Sequence, residues 1–167
     1  MIDGAHLILL KNSKRDEVFL VRRSDYPLWV DTGGGIEKGE KPKEAAVREA
    51  VEETGFKVKS LKLLSIYKVV NKDGQKVGNE YVYEGRVVSG QYKPEFSGCK
   101  GKWFQINKLP FNISKSSKRR IFDLKKHRGN TATKFKRKQV TPWDYNHFFV
   151  LFPLSTLKFF IKKLKKD

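Results

Sequence analysis

Apolar and polar positions alternate along residues 1–126 in patterns that predict both strands and helices. Short apolar runs bounded by turn residues predict five β-strands, at residues 5–10, 18–23, 58–70, 79–89 and 101–106. Segments 42–54 and 116–126 predict helices, and the first of them begins at Pro42 and ends at Gly55, as helices often do. Strands on both sides of one long helix, with a second helix later, indicate a mixed α/β sandwich.

Turn residues connect these segments. The polar stretch Lys11–Glu17 separates the first two strands, and Asn71, Lys72, Asp73 and Gly74 predict a tight hairpin between the strands at 58–70 and 79–89. Residues 29–39, which begin at Trp29 and hold four glycines, are interpreted as a loop that leads into the long helix.

The last forty residues form a basic C-terminal extension, 128–167. Residues 128–138 are basic and polar without a core-forming pattern, which predicts a linker or a surface arm. Beyond the short apolar run 148–154, residues 155–166 place leucine, phenylalanine and isoleucine at helical spacing between lysines, which predicts a basic amphipathic helix. We expect this helix to dock on the domain core or on a partner chain, as in a homodimer, or to lie on an anionic membrane.

The charge of the chain is large and unevenly distributed. The 167 residues hold 36 Lys and Arg against 18 Asp and Glu, a net charge of +18. Residues 1–100 carry only +3 of this charge and residues 101–167 carry +15. Such a field attracts polyanions such as nucleotides, RNA or an anionic membrane, although a solvated basic surface that aids solubility is the plain alternative.

Cysteine content and apolar run length bear on the cellular compartment. The single cysteine, Cys99, excludes an internal disulfide framework and fits a reducing environment. No apolar run approaches the roughly 18 residues of a spanning helix, and the N-terminus lacks the pattern of a signal peptide. We therefore expect a cytoplasmic protein.

Three carboxylates share one side of the predicted helix 42–54. At about 100° per residue, Glu49, Glu52 and Glu53 fall within an arc of roughly 100°. The opposite side carries residues that we expect to face the core: Val47, Ala50, Val51 and Thr54. Like charges at this spacing repel each other, and the last turn is the negative end of the helix dipole. A divalent cation would relieve both penalties, and oxygen ligands without His or Cys favour Mg²⁺ or Mn²⁺. The alternative is a solvated acidic face.

The same segment resembles a known family. It is similar to the Nudix box, G-x5-E-x7-R-E-U-x-E-E-x-G-U, in which U is a bulky aliphatic residue. The matching positions are Gly34, Glu40, Arg48, Glu49, Glu52, Glu53, Gly55 and Phe56. Ala50 is smaller than usual at the first U position, and Thr32 stands where the family commonly has proline. The resemblance covers about residues 4–125, and it implies a Nudix-type α/β/α sandwich with a mixed central sheet over residues 1–127.

The resemblance also implies a reaction and a set of roles. Family members hydrolyse a diphosphate linkage in nucleoside diphosphate derivatives by attack of water at phosphorus, with Mg²⁺ or Mn²⁺. Carried over by position, Glu52 and Glu53 are metal ligands, and Glu49 is a metal ligand or the general base. Glu40 is an outer ligand or the partner of Arg48, which orients the glutamates. The Gly33 carbonyl completes the metal shell. Glu95 is our candidate for a further acid, with Glu80 and Glu84 as competitors.

The substrate is less well defined. The chain resembles small MutT-like nucleoside triphosphate pyrophosphohydrolases, in which Arg22 or Arg23 would contact phosphates and Trp29 or Tyr26 would stack on a base. Gly34 and Glu40 complete the substrate-binding set. One alternative is an RNA 5′-end pyrophosphohydrolase that holds RNA through the basic C-terminal region, residues 101–167, especially 115–128 and 134–138. Another is a Nudix-fold module that binds a nucleotide or RNA without turnover. His6, His127 and His147 lack the spacing of metal ligands.

Overall fold

The computed structural model describes residues 3–24, 26–71, 73–126 and 133–138 of the chain. Two helices and seven strands make up this part of the molecule. In chain order they are β1 (Gly4–Leu10), β2 (Glu17–Arg22), β3 (Thr32–Gly35), α1 (Pro42–Thr54), β4 (Lys57–Val70), β5 (Lys76–Ser89), β6 (Lys100–Gln105), α2 (Lys115–Lys126) and β7 (Thr133–Lys138). The five strands and two helices that the apolar pattern predicts are therefore confirmed, with ends within a few residues of those predicted.

The strands form one mixed sheet in the order β6-β2-β1-β5-β4-β7. Strand β1 lies near the centre and pairs in parallel with β5 along its whole length. On its other side β1 pairs with β3 through its first half and with β2 through its last residues, both antiparallel. Strands β4 and β5 form the long antiparallel hairpin that the turn at Asn71–Gly74 predicts.

The helices pack on opposite faces of this sheet. Successive side chains of β1 alternate between the faces, as strand geometry requires. Leu7 and Leu9 join the core cluster that contains the alanines of α1, whereas Ile8 and Leu10 join the cluster that contains Ile121 of α2. The predicted α/β/α sandwich with a mixed central sheet is thereby confirmed.

Helix α1 sits close to the sheet because its buried residues are small. Pro42 occupies the first turn, and Gly55 ends the helix at φ 72° with its N–H donating to the Val51 carbonyl over 2.7 Å. The fully buried positions are Ala45, Ala46 and Ala50 together with Thr54. The expectation that Val51 faces the core is wrong, since its side chain is 42% exposed. Compared with the predicted face, the buried face of α1 is rotated toward Ala46, and Glu53 therefore lies at the edge of this buried face.

Two predictions for irregular segments are also wrong. Residues Thr32–Gly35 of the glycine-rich loop form β3, and residues Thr133–Lys138 of the expected surface arm form β7, which pairs in parallel with β4. In both cases hydrogen bonds to a partner strand stabilise the extended conformation, although the segment itself has a low β-strand propensity. Thr32 is buried, and its hydroxyl donates to the Leu7 carbonyl over 2.8 Å, which fixes the position where the family commonly has proline.

The remaining predictions for the extension concern residues outside the described part of the chain. They are the apolar run 148–154 and the amphipathic helix 155–166 with its proposed contacts. Within residues 3–24, 26–71, 73–126 and 133–138, neither helix is long and apolar enough to cross a membrane.

Candidate active site

Arg48 is the centre of an ion-pair network on α1. Its Nε and Nη2 atoms donate to the two carboxylate oxygens of Glu40 over 3.0 and 3.1 Å. Its Nη1 atom donates to Glu49 over 2.8 Å and to Glu52 over 3.3 Å, and Nη2 also reaches the Gly35 carbonyl over 3.0 Å. One guanidinium therefore ties the β3–α1 connection to two of the helix glutamates.

The planar guanidinium of arginine can bind several carboxylates at once, because it offers several hydrogen-bond donors in fixed directions. The hydrogen bonds from Arg48 and from the Glu37 N–H lower the pKa of the Glu40 carboxyl. In turn the hydrogen bond to Glu40 is the main reason that the pKa of Arg48 is raised. Glu40 and Arg48 are therefore both charged at neutral pH, and Glu40 serves as the structural partner of Arg48.

Glu53 lies deeper than the other glutamates of the helix. Its carboxylate accepts a hydrogen bond from the Gly33 N–H over 3.2 Å. Burial is the largest cause that raises the pKa of Glu53 to about 8, and the nearby charges of Glu49, Asp31 and Glu95 add to it. This carboxylate is thus held among negative groups and away from water.

Glu49 lies between Arg48 and Glu53, and its surroundings have opposing effects on the pKa of its carboxyl group. Burial raises the pKa of Glu49, the hydrogen bond from Arg48 lowers it, and Glu52 and Glu95 raise it again, with a net upward shift. Glu52 is 50% exposed and extends to the solvent side. The three glutamates predicted to share one side of the helix therefore differ in burial and in hydrogen-bond partners.

Glu95 comes to these glutamates from another part of the chain. It lies in the segment between β5 and β6, and its charge acts on both Glu49 and Glu53. Its competitors lie on the opposite face of the sheet. Glu84 forms an ion pair with Arg15, and Glu80 accepts a hydrogen bond from Arg120 over 3.2 Å.

The donor set fits a hard divalent cation, although the side chains are not gathered around one point. In the part of the chain that the structure describes, no three His, Cys, Asp or Glu side chains stand close enough to share an ion. Glu49 and Glu53 nevertheless lie near one another and near the charge of Glu95, and burial together with these negative neighbours disfavours the charged forms of Glu49 and Glu53. Carboxylate oxygens under such repulsion are ligands suited to Mg²⁺ or Mn²⁺. The donor chemistry beside the Gly33 backbone therefore fits a divalent cation.

Gly34 allows the close approach of β3 to α1. A Cβ atom at this position would lie 2.5 Å from the Cδ atom of Glu49. At Gly35, by contrast, an added Cβ would meet no atom within 4 Å. The glycine at the start of the box is therefore required for the space that the Glu49 carboxylate occupies.

The predicted phosphate- and base-contacting residues separate onto two faces. Arg23 lines a small pocket together with Glu53 and Glu95. Arg22 instead lies over the ring of Trp29, 5.5 Å from its centroid, and Trp29 packs edge-on against Phe104 in the α2 core. Tyr26 is not among the residues that line the pocket with Glu53.

Sequence reasoning missed other residues of this region. The pocket beside Glu53 is also lined by Val21, Tyr92, Phe96 and Cys99. On the other side of β3, Asp31 and Arg120 form a buried ion pair of 2.8 Å, and the same guanidinium lies 3.0 Å from the Nε2 atom of His6. No local pattern marks these residues, because strand pairing and chain connections distant in sequence bring them together.

Fold and site together define a hydrolase of a known family. The chain belongs to the NUDIX domain family, which matches residues 2–124. It is 32% identical over 123 residues to the Bacillus subtilis protein named putative 8-oxo-dGTP diphosphatase, a match that covers 73% of this chain and 78% of that protein. It is 36% identical over 104 residues to human diphosphoinositol polyphosphate phosphohydrolase 3-alpha, which covers 61% of this chain and 63% of the human one.

Solved structures agree with the fold. A NUDIX hydrolase from Nitrosomonas europaea has a TM-score of 0.67 at 15% identity, over 83% of this chain and 79% of that one. A MutT NUDIX hydrolase from Burkholderia pseudomallei has a TM-score of 0.61 at 19% identity, over 74% and 97%. At these identities the likeness concerns the fold alone.

Proposed function

We propose that this Nudix hydrolase is a Mg²⁺- or Mn²⁺-dependent pyrophosphohydrolase that cleaves a diphosphate linkage in a nucleoside triphosphate derivative by attack of water at phosphorus. The observation that carries the proposal is Glu53, which lies in one pocket with Arg23 and Glu95 and whose carboxylate is buried near the negative charges of Glu49 and Glu95. Such a group of repelling carboxylates is favourable once a divalent cation lies among them. The named relative from Bacillus subtilis, whose match covers most of both chains, supports a nucleoside triphosphate as substrate.

The roles proposed for Arg48 and for the glutamates of the box follow from their positions in it. Glu53 and Glu49 would hold the metal with Glu52, and the Gly33 carbonyl and Glu95 would complete its ligands. When bound, the metal would neutralise phosphate oxygens and lower the pKa of the attacking water. Arg48 acts on the reaction by orienting Glu49 and Glu52, and Glu40 holds Arg48 in turn. Arg23 would place a phosphate at the pocket entrance through charge-assisted hydrogen bonds.

Diphosphoinositol polyphosphates are the second candidate substrates. Seven phosphohydrolases of this kind share 36% identity with the chain over 104 residues. These relatives match only part of the present chain, and the chain covers 57 to 63% of their length. The net charge of +18 favours a strongly anionic substrate of this type.

The test is a turnover measurement with a substrate panel. Phosphate and pyrophosphate release is measured with 8-oxo-dGTP, the common nucleoside triphosphates, ADP-ribose, a diphosphoinositol polyphosphate and 5′-triphosphorylated RNA. Each is assayed with Mg²⁺, with Mn²⁺ and with chelator, at two salt concentrations. We expect metal-dependent turnover of a nucleoside triphosphate that changes little with salt, because few phosphates are contacted.

Other outcomes would change the assignment. Turnover of the inositol compound in preference to every nucleotide would replace the first candidate by the second. Turnover restricted to RNA, with a steep decrease at high salt, would contradict both and make the basic C-terminal region part of the substrate site. Metal-dependent binding without turnover of any compound would contradict the enzymatic proposal.

A further inference from the structure

The segment between β5 and β6, residues 90–99, is fastened to the C-terminal end of α1. The Lys93 N–H donates to the Thr54 carbonyl over 2.9 Å. Gly90 lies so close to Gly55 that an added Cβ would stand 2.7 Å from the Gly55 carbonyl oxygen. This attachment brings the side chains of the segment over the last turn of α1, where Glu53 lies.

Tyr92 of this segment packs against the core cluster on the α1 face of the sheet. Its ring lies 5.3 Å from that of Phe19, measured between centroids. Gly101 of β6 leaves room for it, since a Cβ at that position would stand 2.6 Å from the Cε2 atom of Tyr92. Contacts on both sides therefore fix the ring and, with it, the direction of the hydroxyl group.

The Tyr92 hydroxyl is buried, yet it has no hydrogen-bond partner among the residues that the structure describes. Buried hydroxyls normally have one, because burial removes the bonds to water. Tyr67 illustrates the ordinary case in the same protein, since its hydroxyl donates to the carboxylate of Asp123. Burial, with Cys99 and Glu53 nearby, raises the pKa of Tyr92, so the hydroxyl keeps its proton at neutral pH.

The surroundings indicate which group the hydroxyl meets. Tyr92 lines the same pocket as Arg23, Glu53 and Glu95. The two carboxylates are suited to a metal, and Arg23 supplies a positive charge for an anion. In the free protein the pocket admits only a water-sized group, so binding would require its side chains to move apart; a phosphate group between Arg23 and the carboxylates would then present oxygen acceptors to the Tyr92 hydroxyl.

We propose that the Tyr92 hydroxyl donates a hydrogen bond to a phosphate oxygen of the bound substrate, and that Tyr92 is a substrate-contacting residue of the active site. This inference rests on the proposed pyrophosphohydrolase function, because it requires a phosphate in the Glu53 pocket. It assigns to the hydroxyl a partner that only the complex contains, and it explains why a polar group is held in this packed position.

The decisive variant is Tyr92→Phe, which removes the hydroxyl and keeps the ring. Turnover of the best substrate of the panel, binding of its methylene-bridged analogue with Mg²⁺, and the urea midpoint of unfolding are measured. Loss of a hydrogen bond to a charged group lowers kcat/KM by about 10- to 100-fold. We expect this decrease in Tyr92→Phe, together with weaker binding of the analogue. The urea midpoint is expected to stay equal or to increase, because an unpaired polar group leaves the core.

Tyr83→Phe is the matched control. Tyr83 belongs to the same core cluster and does not line the pocket, so we expect kcat/KM to remain within about twofold of the wild type. Unchanged turnover and analogue binding in Tyr92→Phe, with an active wild type, would overturn the inference and leave the proposed function intact. A Tyr92→Phe protein with a lowered midpoint and unchanged kcat/KM would show a structural hydroxyl and also overturn it. A wild type that neither binds nor hydrolyses any compound of the panel would overturn both proposals.

Discussion

At Glu53, burial and neighbouring charges act in the same direction. The side chain lies at the edge of the buried face of α1, and its carboxylate accepts one hydrogen bond, from the Gly33 N–H. Burial, together with Glu49, Asp31 and Glu95, raises its pKa to about 8. The position is therefore unfavourable for the fold by itself and favourable for binding a cation, which is a common property of functional sites.

The first prediction concerns the amide variant of this residue. Glu53→Gln is expected to reduce turnover by roughly a thousandfold or more, because a metal contributes several kcal/mol of charge stabilisation and each 1.4 kcal/mol is a factor of ten. The free energy of unfolding without metal is expected not to decrease, since a repelled carboxylate is removed. Steady-state kinetics and urea unfolding measure the two quantities. Glu44→Gln, at an exposed position of the same helix, serves as the control; near-normal turnover in Glu53→Gln would contradict the metal assignment.

The second prediction concerns the pH dependence of stability in the metal-free protein. The folded-state pKa of Glu53 is about 8 and its ordinary value is 4.5. The protonated form therefore stabilises the fold fully below about pH 4.5, and this contribution is lost as the pH rises through about 8. Urea unfolding with chelator between pH 5 and 9 is expected to show decreasing stability, and the decrease is expected to be smaller in Glu53→Gln, where only Glu49 contributes it, and unchanged in Glu52→Gln. The same slope in Glu53→Gln would assign the titration to another group.

At the scale of secondary-structure elements, the site depends on how closely β3 approaches α1. Strand β3 pairs with β1 through Gly4–Leu7, and α1 packs over it with alanines. Arg48 then joins the two elements through the Gly35 carbonyl, Glu40 and Glu49. The glutamates of α1 are thereby held against a strand that has no side chains at three successive positions.

The third prediction compares two neighbouring glycines of β3. Gly34→Ala would place a Cβ 2.5 Å from the Glu49 carboxylate, whereas Gly35→Ala would meet no atom within 4 Å. Displacement of Glu49 by about 1 Å is expected to reduce kcat by about 100-fold in Gly34→Ala, with little change in Gly35→Ala. Kinetics of both variants, with circular dichroism to verify folding, test this. Equal activities would show that Glu49 does not require its observed position.

At the scale of the whole molecule, a buried network connects α2 to the strands beneath the site. Arg120 pairs with Asp31 just before β3, lies beside His6 of β1 and donates to Glu80 of β5. Burial opposes the ionisation of Asp31, but Arg120, His6 and Ser117 outweigh it, and the pKa of Asp31 is lowered. The helix on one face of the sheet thus supports the strand that meets α1 on the other.

The fourth prediction tests this network. Arg120→Ala is expected to decrease the free energy of unfolding by about 3–5 kcal/mol, because Asp31 is 4% exposed and would remain as an uncompensated buried charge. Arg120→Met combined with Asp31→Asn is expected to recover part of the loss. Urea unfolding at pH 7 measures both. A decrease below about 1 kcal/mol in Arg120→Ala would show that Asp31 finds another partner.

The sequence by itself determined the features that depend on local periodicity and spacing. Strands β1, β2, β4, β5 and β6, both helices and the turn at Asn71–Gly74 follow from apolar patterns and turn residues. The ends of α1 at Pro42 and Gly55 follow from the conformations that these residues favour. The spacing of the glutamates and arginine of the box was sufficient to recognise the family and its reaction.

Only the tertiary structure decided how those residues are surrounded. Strands β3 and β7 form because partner strands distant in sequence supply their hydrogen bonds, which composition does not reveal. The different burial of Glu52 and Glu53 depends on the rotation of α1 against the sheet. The nearness of Glu95 and Tyr92 to Glu53 depends on the attachment of residues 90–99 to the end of α1. Such contacts arise from closure of the chain between distant segments, and for this reason no local pattern in the sequence contains them.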